Sequence, residues 1–232
     1  AIEHALTGRL FSRAAELLAS LPADFVHTTG KYQTLRRWVN SLDSATRRLH
    51  PLILRDLAIA LSEHSDRNES LSLLQEAVNY AEAQGDPEIS TNIRLSIVTT
   101  HLSAGNPSDA LAVLQSMPDQ TGMPINLRRK YLKTLGGVHY YLSQFHRARH
   151  AFEAALALPD EGDRSATARL RQNLIVAALH PLGDFARAEQ EWHLLEPIFA
   201  EQLIGRIWSL ITACWLYESM GDWARLASAL ET

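Results

Sequence analysis

The sequence lacks most of the features that mark an activity. It holds one cysteine, Cys214, so no intrachain disulfide can form; that usage fits a reducing, cytoplasmic setting. No run of about 18 apolar residues occurs, so no membrane-spanning helix is expected. The opening Ala1-Ile2-Glu3-His4-Ala5-Leu6 has no basic stretch ahead of an apolar block and does not read as a signal peptide. Positive charge is not in excess: Lys and Arg number 22 against 26 Asp and Glu, a formal charge of -4. Binding to a phosphate backbone is therefore not expected to be the main task. The short basic runs Arg36-Arg37, Arg47-Arg48 and Arg128-Arg129-Lys130 read as solvated helix ends. A Gly-x-x-x-x-Gly-Lys-Ser/Thr loop is missing, so ATP binding is not expected, and no cofactor is implied. Also missing are a Gly-x-Ser-x-Gly elbow and a His-Glu-x-x-His pair.

Some residues nevertheless invite chemistry. His146 and His150 stand four apart on a helix pattern, but no third ligand follows at a supporting spacing. Both point away from the Phe145/Ala148/Phe152 stripe and are expected at the surface. His101 and His139 occupy one slot in successive repeats, which suggests packing. Cys214 lies in the apolar run Leu210–Leu216 and is expected to be a small core residue. Glu189 and Glu191 are two apart and do not share a helix face. Trp192, Trp208, Trp215 and Trp223 crowd the last part of the chain. Core packing is the first reading for them, and an aromatic platform for a sugar or another ring-bearing inducer the second. Without a nucleophile, base or metal set, the chain is not expected to be an enzyme.

What the chain does contain is a repeat. Gly183-Asp184-Phe185-Ala186-Arg187-Ala188 with Trp192 is its clearest copy, and Gly221-Asp222-Trp223-Ala224-Arg225-Leu226 with Leu230 is another. Looser copies run Gly105-Asn106-Pro107-Ser108-Asp109-Ala110 with Leu114, and Ser143-Gln144-Phe145-His146-Arg147-Ala148 with Phe152. A weaker copy is Ser65-Asp66-Arg67-Asn68-Glu69-Ser70 with Leu74, and Ala14 with Leu18 holds the same phase at the start. Counted on the small residue, the steps 70 to 110, 110 to 148, 148 to 188 and 188 to 226 are 40, 38, 40 and 38 residues. From 14 to 70 the step is 56, so the first unit carries something extra. Lys31–Leu42 is the candidate, with Leu35, Trp38, Val39 and Leu42 at helix spacing.

Each unit reads as helix, tight turn, helix. In the unit near 164–196 the first helix is expected over Ser165–His180 and the second over Phe185–Leu195, with Pro197 in the next connection. Gly183 suits a left-handed cap and Asp184 the next N-cap. A small residue such as Ala188 lets paired helices approach closely. A single pair cannot bury its apolar face, so neighbours must stack. Polar, breaker-rich loops at 118–124 and 159–163 separate units, but none is long enough for a domain linker. The expected fold is all-α: a right-handed superhelical array of antiparallel helix pairs, forming one domain over 1–232. The chain is read as a piece of a longer protein.

Leu135-Gly136, Tyr140, Ala148, Phe152, Ala155 and Pro159 resemble the tetratricopeptide repeat. The period is longer than the about 34 residues of that repeat. Longer units of this kind look like the sensor region of MalT-like transcription activators of the LuxR group. Ala1-Ile2-Glu3-His4-Ala5-Leu6, Phe11-x-x-Ala14-Ala15-Glu16-Leu17-Leu18, Leu35-Arg36-Arg37-Trp38-Val39-x-x-Leu42 and Pro51-Leu52 resemble the segment that opens that helical region. The resemblance implies a bacterial regulator with an upstream nucleotide-binding switch and a downstream helix-turn-helix DNA reader. The helical part between them would receive the inducer and control self-assembly.

Solenoids bind on the concave face, which the first helix of each pair lines. Projecting the repeat phase puts Asn92, Lys130, Lys133, Tyr140, Asn173, His180, Trp208, Trp215 and Glu218 there. The expected occupant is a small-molecule inducer or a protein or peptide, with self-association also possible. The alternative function is a tetratricopeptide adaptor that grips a partner's peptide or helix.

Overall fold

The computed structural model describes residues 1–22, 25–63, 67–118, 122–159, 162–201 and 203–230, without the side chains of 27, 28, 63, 203, 204 and 230. Ser65-Asp66 of the weaker repeat copy, and parts of the two interunit loops (119–121 and 160–161), lie outside them. The described residues form fifteen α-helices, one π-helical segment and no strand. The fold is all-α and solenoid-like, with consecutive helices packed on one another. Packing groups the chain into two compact units, Ala1–Asp119 and Gln120–Thr232, where the repeat phase alone draws no boundary.

The first unit begins with α1 (Ile2–Thr7) and α2 (Phe11–Ala19). Three short helices follow, α3 (Phe25–Thr29), α4 (Tyr32–Asn40) and α5 (Ser44–Leu49). The extra element in the long first step is therefore more than the one helix expected near 31–42. Leu35, Val39 and Leu42 are buried as their spacing predicts, and Trp38 packs partly against the same core. Asp43 caps α5 by accepting a hydrogen bond from Thr46 N at 2.8 Å. Then come α6 (Pro51–Glu63), α7 (Arg67–Ala83), α8 (Pro87–Ser103) and α9 (Pro107–Gln115). Leu54, Leu57, Leu61, Leu74, Ala77 and Ile93 fill the core among them.

The second unit holds α10 (Ile125–Tyr141), α11 (Phe145–Leu156), α12 (Arg164–Leu174), α13 (Phe185–Phe199), α14 (Leu203–Met220) and α15 (Trp223–Leu230). A π-helical turn, Ile175–Leu179, continues α12. Helix α13 runs past Leu195, so Pro197 lies inside its last turn rather than in the following connection. Proline has no N–H to donate to the His193 carbonyl, and only two residues of the helix follow it. Ala148, Phe152, Leu174, Leu179, Ala188 and Leu195 are fully buried in this unit's core.

The turns explain the period. Gly85, Gly105, Gly183 and Gly221 adopt positive φ of 68–76°, and Arg9 and Ser143 take the same role at φ 56°. After each, the next residue donates its N–H to the carbonyl five back: Asn106 to His101, Gln144 to His139, Asp184 to Leu179 and Asp222 to Tyr217, at 2.8–3.0 Å. This is the helix-terminating motif that favours a left-handed residue. Asp86, Asp184 and Asp222 then cap the following helices through Ile89, Arg187 and Arg225 N–H groups. The repeat-phase residues Ala14, Ser70, Ala110, Ala148 and Ala188 are all fully buried. Ser70 satisfies its hydroxyl by donating to Ala58 O at 2.7 Å. Gly136 works the same way from the opposite helix: a Cβ there would sit 2.6 Å from the Phe152 ring.

Candidate ligand-binding groove

Three first helices of the second unit, α10, α12 and α14, present side chains to two adjoining cavities. One, of about 440 Å³, is lined by Lys133, Arg169, Gln172, Asn173, Val176, Phe199, Gly205, Trp208, Ile211, Thr212 and Trp215. The other, of about 300 Å³, is lined by Tyr140, Val176, His180, Pro181, Trp215, Glu218 and Ser219. Val176 and Trp215 border both, so the two form one groove with a waist. Lys133 and Arg169 stand in the half nearer the helix starts, and His180 and Glu218 near the helix ends.

Seven of the nine residues projected onto the concave face meet here: Lys133, Tyr140, Asn173, His180, Trp208, Trp215 and Glu218. Two do not line it. Asn92 belongs to α8 in the first unit and is half-buried; its carbonyl accepts from Ser96 Oγ at 3.5 Å. Lys130 is half-buried on α10, and its carbonyl accepts from Thr134 Oγ1 at 2.8 Å. Both residues are engaged by interactions within the protein. Among the lining residues the projection missed are Arg169, Ile211, Thr212 and Ser219. Each stands three or four positions from a projected residue, so helical spacing was the available signal.

The tryptophans divide. Trp192 is 8% exposed, donates its indole N–H to Ser209 O at 3.3 Å and meets Tyr217 edge-on. Core packing describes it. For Trp208, Trp215 and Trp223 the core expectation is overturned: they are 49%, 46% and 65% exposed. Ala213, Leu216 and Tyr217 carry the core side of α14, which turns Trp208 and Trp215 outward into the groove. Cys214, at the flank of that core side, is half-buried rather than buried.

Polar contacts join the groove walls. Gln172 Nε2 donates to Thr212 Oγ1 at 3.2 Å, linking α12 to α14. His180 Nε2 and Ser219 Oγ share a hydrogen bond of 2.7 Å. Beneath, Glu191 is buried and held between Arg187, at 2.7 Å, and Arg171. Arg171 is thereby occupied. Lys133 and Arg169, by contrast, make no ion pair or hydrogen bond among the described residues. Lys133 is an exposed residue, yet the groove crowds it. That desolvation first, and the Arg169 charge second, lower its pKa below the ordinary lysine value.

The other chemistry weighed from sequence lies elsewhere. His146 and His150 are exposed on α11. No group of three or more His, Cys, Asp or Glu among the described residues is placed to hold a metal ion. The slot of His101 and His139 is filled next by Leu179 and Tyr217, both buried, which identifies it as a packing position at the turn. His139 bonds Gln144 Oε1 through Nδ1 at 2.8 Å. Among the described residues, no helix is long and apolar enough to cross a membrane.

No protein-family model and no curated protein matches the chain. Solved structures do match. One is BtubC (BKLC) from P. vanneervenii, 18% identical, with a TM-score of 0.70 over 89% of this chain and 86% of that one. At this identity the likeness shows the shared all-α fold alone.

Proposed function

We propose that the chain is a ligand-sensing and interaction module, the sensor region of a MalT-like regulator of the LuxR group, working in the cytoplasm and without catalysis of its own. The observation that supports this most is the groove of the second unit, where exposed Trp208 and Trp215 converge with hydrogen-bonding Asn173 and Gln172. Its volume falls in the range of small-molecule sites, about 300–1,000 Å³. Its walls come from separate helices, so an occupant that bridges them favours one arrangement of those helices over another. The shift is limited to the occupant's differential affinity for the two arrangements.

The test is a thermal-shift screen of the purified chain against metabolites and, separately, acidic and helical peptides. A metabolite at a hundred times its Kd should stabilise by about 2.7 kcal/mol. Trp215→Ala should remove that gain without changing the unliganded melting temperature by much. Stabilisation by peptides alone would move the reading to the adaptor alternative. No stabilisation by either, or gains indifferent to Trp215→Ala, would sink both. A phosphate-binding loop domain upstream and a helix-turn-helix downstream in the parent coding frame would support the regulator assignment.

A further inference from the structure

The groove carries information on the charge of its occupant, an inference that rests on the ligand-binding reading above. Two cations, Lys133 on α10 and Arg169 on α12, line the larger cavity, with no carboxylate among the described residues that line it. Several arginines of this unit are matched by carboxylates: Arg171 and Arg187 hold Glu191, Arg149 holds Asp184 and Glu153, and Arg225 holds Asp222 and Glu189. Both side chains are exposed, and two like charges lining one recess make it attractive to an anion. Beside the pair, the open indoles of Trp208 and Trp215 offer flat apolar surface. Aromatic rings stack on such surfaces with a specific gain.

We propose that the larger cavity binds a planar, ring-bearing organic acid, its anionic group between Lys133 and Arg169 and its ring against Trp208 and Trp215. Glu218, in the adjoining cavity beyond Trp215, repels an anion and sets the ligand's direction. Charge-assisted contacts to a guanidinium are the stronger kind and give this site geometric selectivity.

Three probes with one ring and different charge test it: indole-3-acetate, indole-3-acetamide and tryptamine, titrated calorimetrically into the full chain. The acetate should bind at least tenfold more tightly than the amide, and the amine more weakly than both. Lys133→Met and Arg169→Met should each pull the acetate-to-amide ratio toward one, while Lys133→Arg keeps it. Circular dichroism and melting curves of the variants check that they fold. An amide bound as tightly as the acetate, with both lost in Trp215→Ala, would overturn the anion assignment and leave the groove reading intact. Failure of all three probes to bind at millimolar concentration would also overturn it, and the metabolite screen then judges the groove separately.

Discussion

In the first unit, a cavity of about 500 Å³ lies beside the α7–α8 turn, and its charges face one another. Arg94 pairs with Glu82 at 2.6 Å, and Asp86 accepts the Ile89 N–H at 2.9 Å. In the second unit, the groove's cations face open space and its tryptophans face solvent. Both units are built from the same helix pairs and the same left-handed turns. The difference lies in whether the cations are paired from within. Space alone does not make a binding site; unmet charge and uncovered aromatic surface beside that space do.

The largest predicted effect tests whether the second unit's interior is as fully matched as the first unit's cavity. Glu191→Ala leaves Arg171 and Arg187 without their shared anion. Removing one partner of a buried pair costs about 3–5 kcal/mol; both arginines reach solvent, so the loss should be nearer about 2 kcal/mol, read by urea denaturation. A change below about 0.5 kcal/mol, the range of ordinary surface substitutions, would mean that the network contributes little. Next is Gly136→Ala. The added methyl meets the buried Phe152 ring. Overpacking costs about 1–3 kcal/mol, offset by about 1 kcal/mol of helix propensity, so a net loss of about 1 kcal/mol is expected. A more stable variant would show that Phe152 can move aside.

A smaller contrast compares the two cavities directly. Arg94→Met breaks the pair with Glu82 and should lower stability by about 0.5 kcal/mol, as a partly exposed ion pair allows. Lys133→Met breaks no pair and should leave stability unchanged or slightly higher. Equal losses in the two variants would erase the distinction drawn here.

The smallest effect is in pH. Burial, the largest influence on His139, lowers its pKa below 6.5; the Gln144 bond raises it and Arg147 lowers it again. The folded state thus holds the neutral ring. Its contribution is full above pH 6.5 and is lost as pH falls from there through the folded value. His139→Gln should flatten the fall in melting temperature between pH 6.5 and 5; an unchanged slope would place the titration elsewhere.

The turns and the small buried residues were legible in the sequence because backbone geometry demands them. Gly183-Asp184 can be read as cap and N-cap, and Ala110, Ala148 and Ala188 as close-approach points, from one chain. Ser143 in the glycine slot was legible only through phase, since serine seldom takes positive φ. The groove was partly legible. Projection treats all first helices alike, which is why Asn92 and Lys130 were included although they line neither half of it. Whether side chains from separate helices converge is a matter of packing, and packing also turned Trp208 and Trp215 out while taking Trp192 in. The Glu191 network joins Arg171, 20 residues away, and no local pattern announces such a partnership.

The π-helical turn at Ile175–Leu179 has one more consequence. His180 N–H reaches back five residues to Ile175 O, so one residue more than an α-helix needs is held in the wall of the groove. Each residue advances an α-helix by about 100°. The wide turn takes up that residue, so Gln172 and Asn173 before it and His180 and Pro181 after it keep the bearings of one continuous helix. Deleting one residue from 175–179 would turn this segment into regular α-helix and leave His180 near Ser219, whereas adding one residue to the regular α-helix before it would swing everything that follows by about 100°.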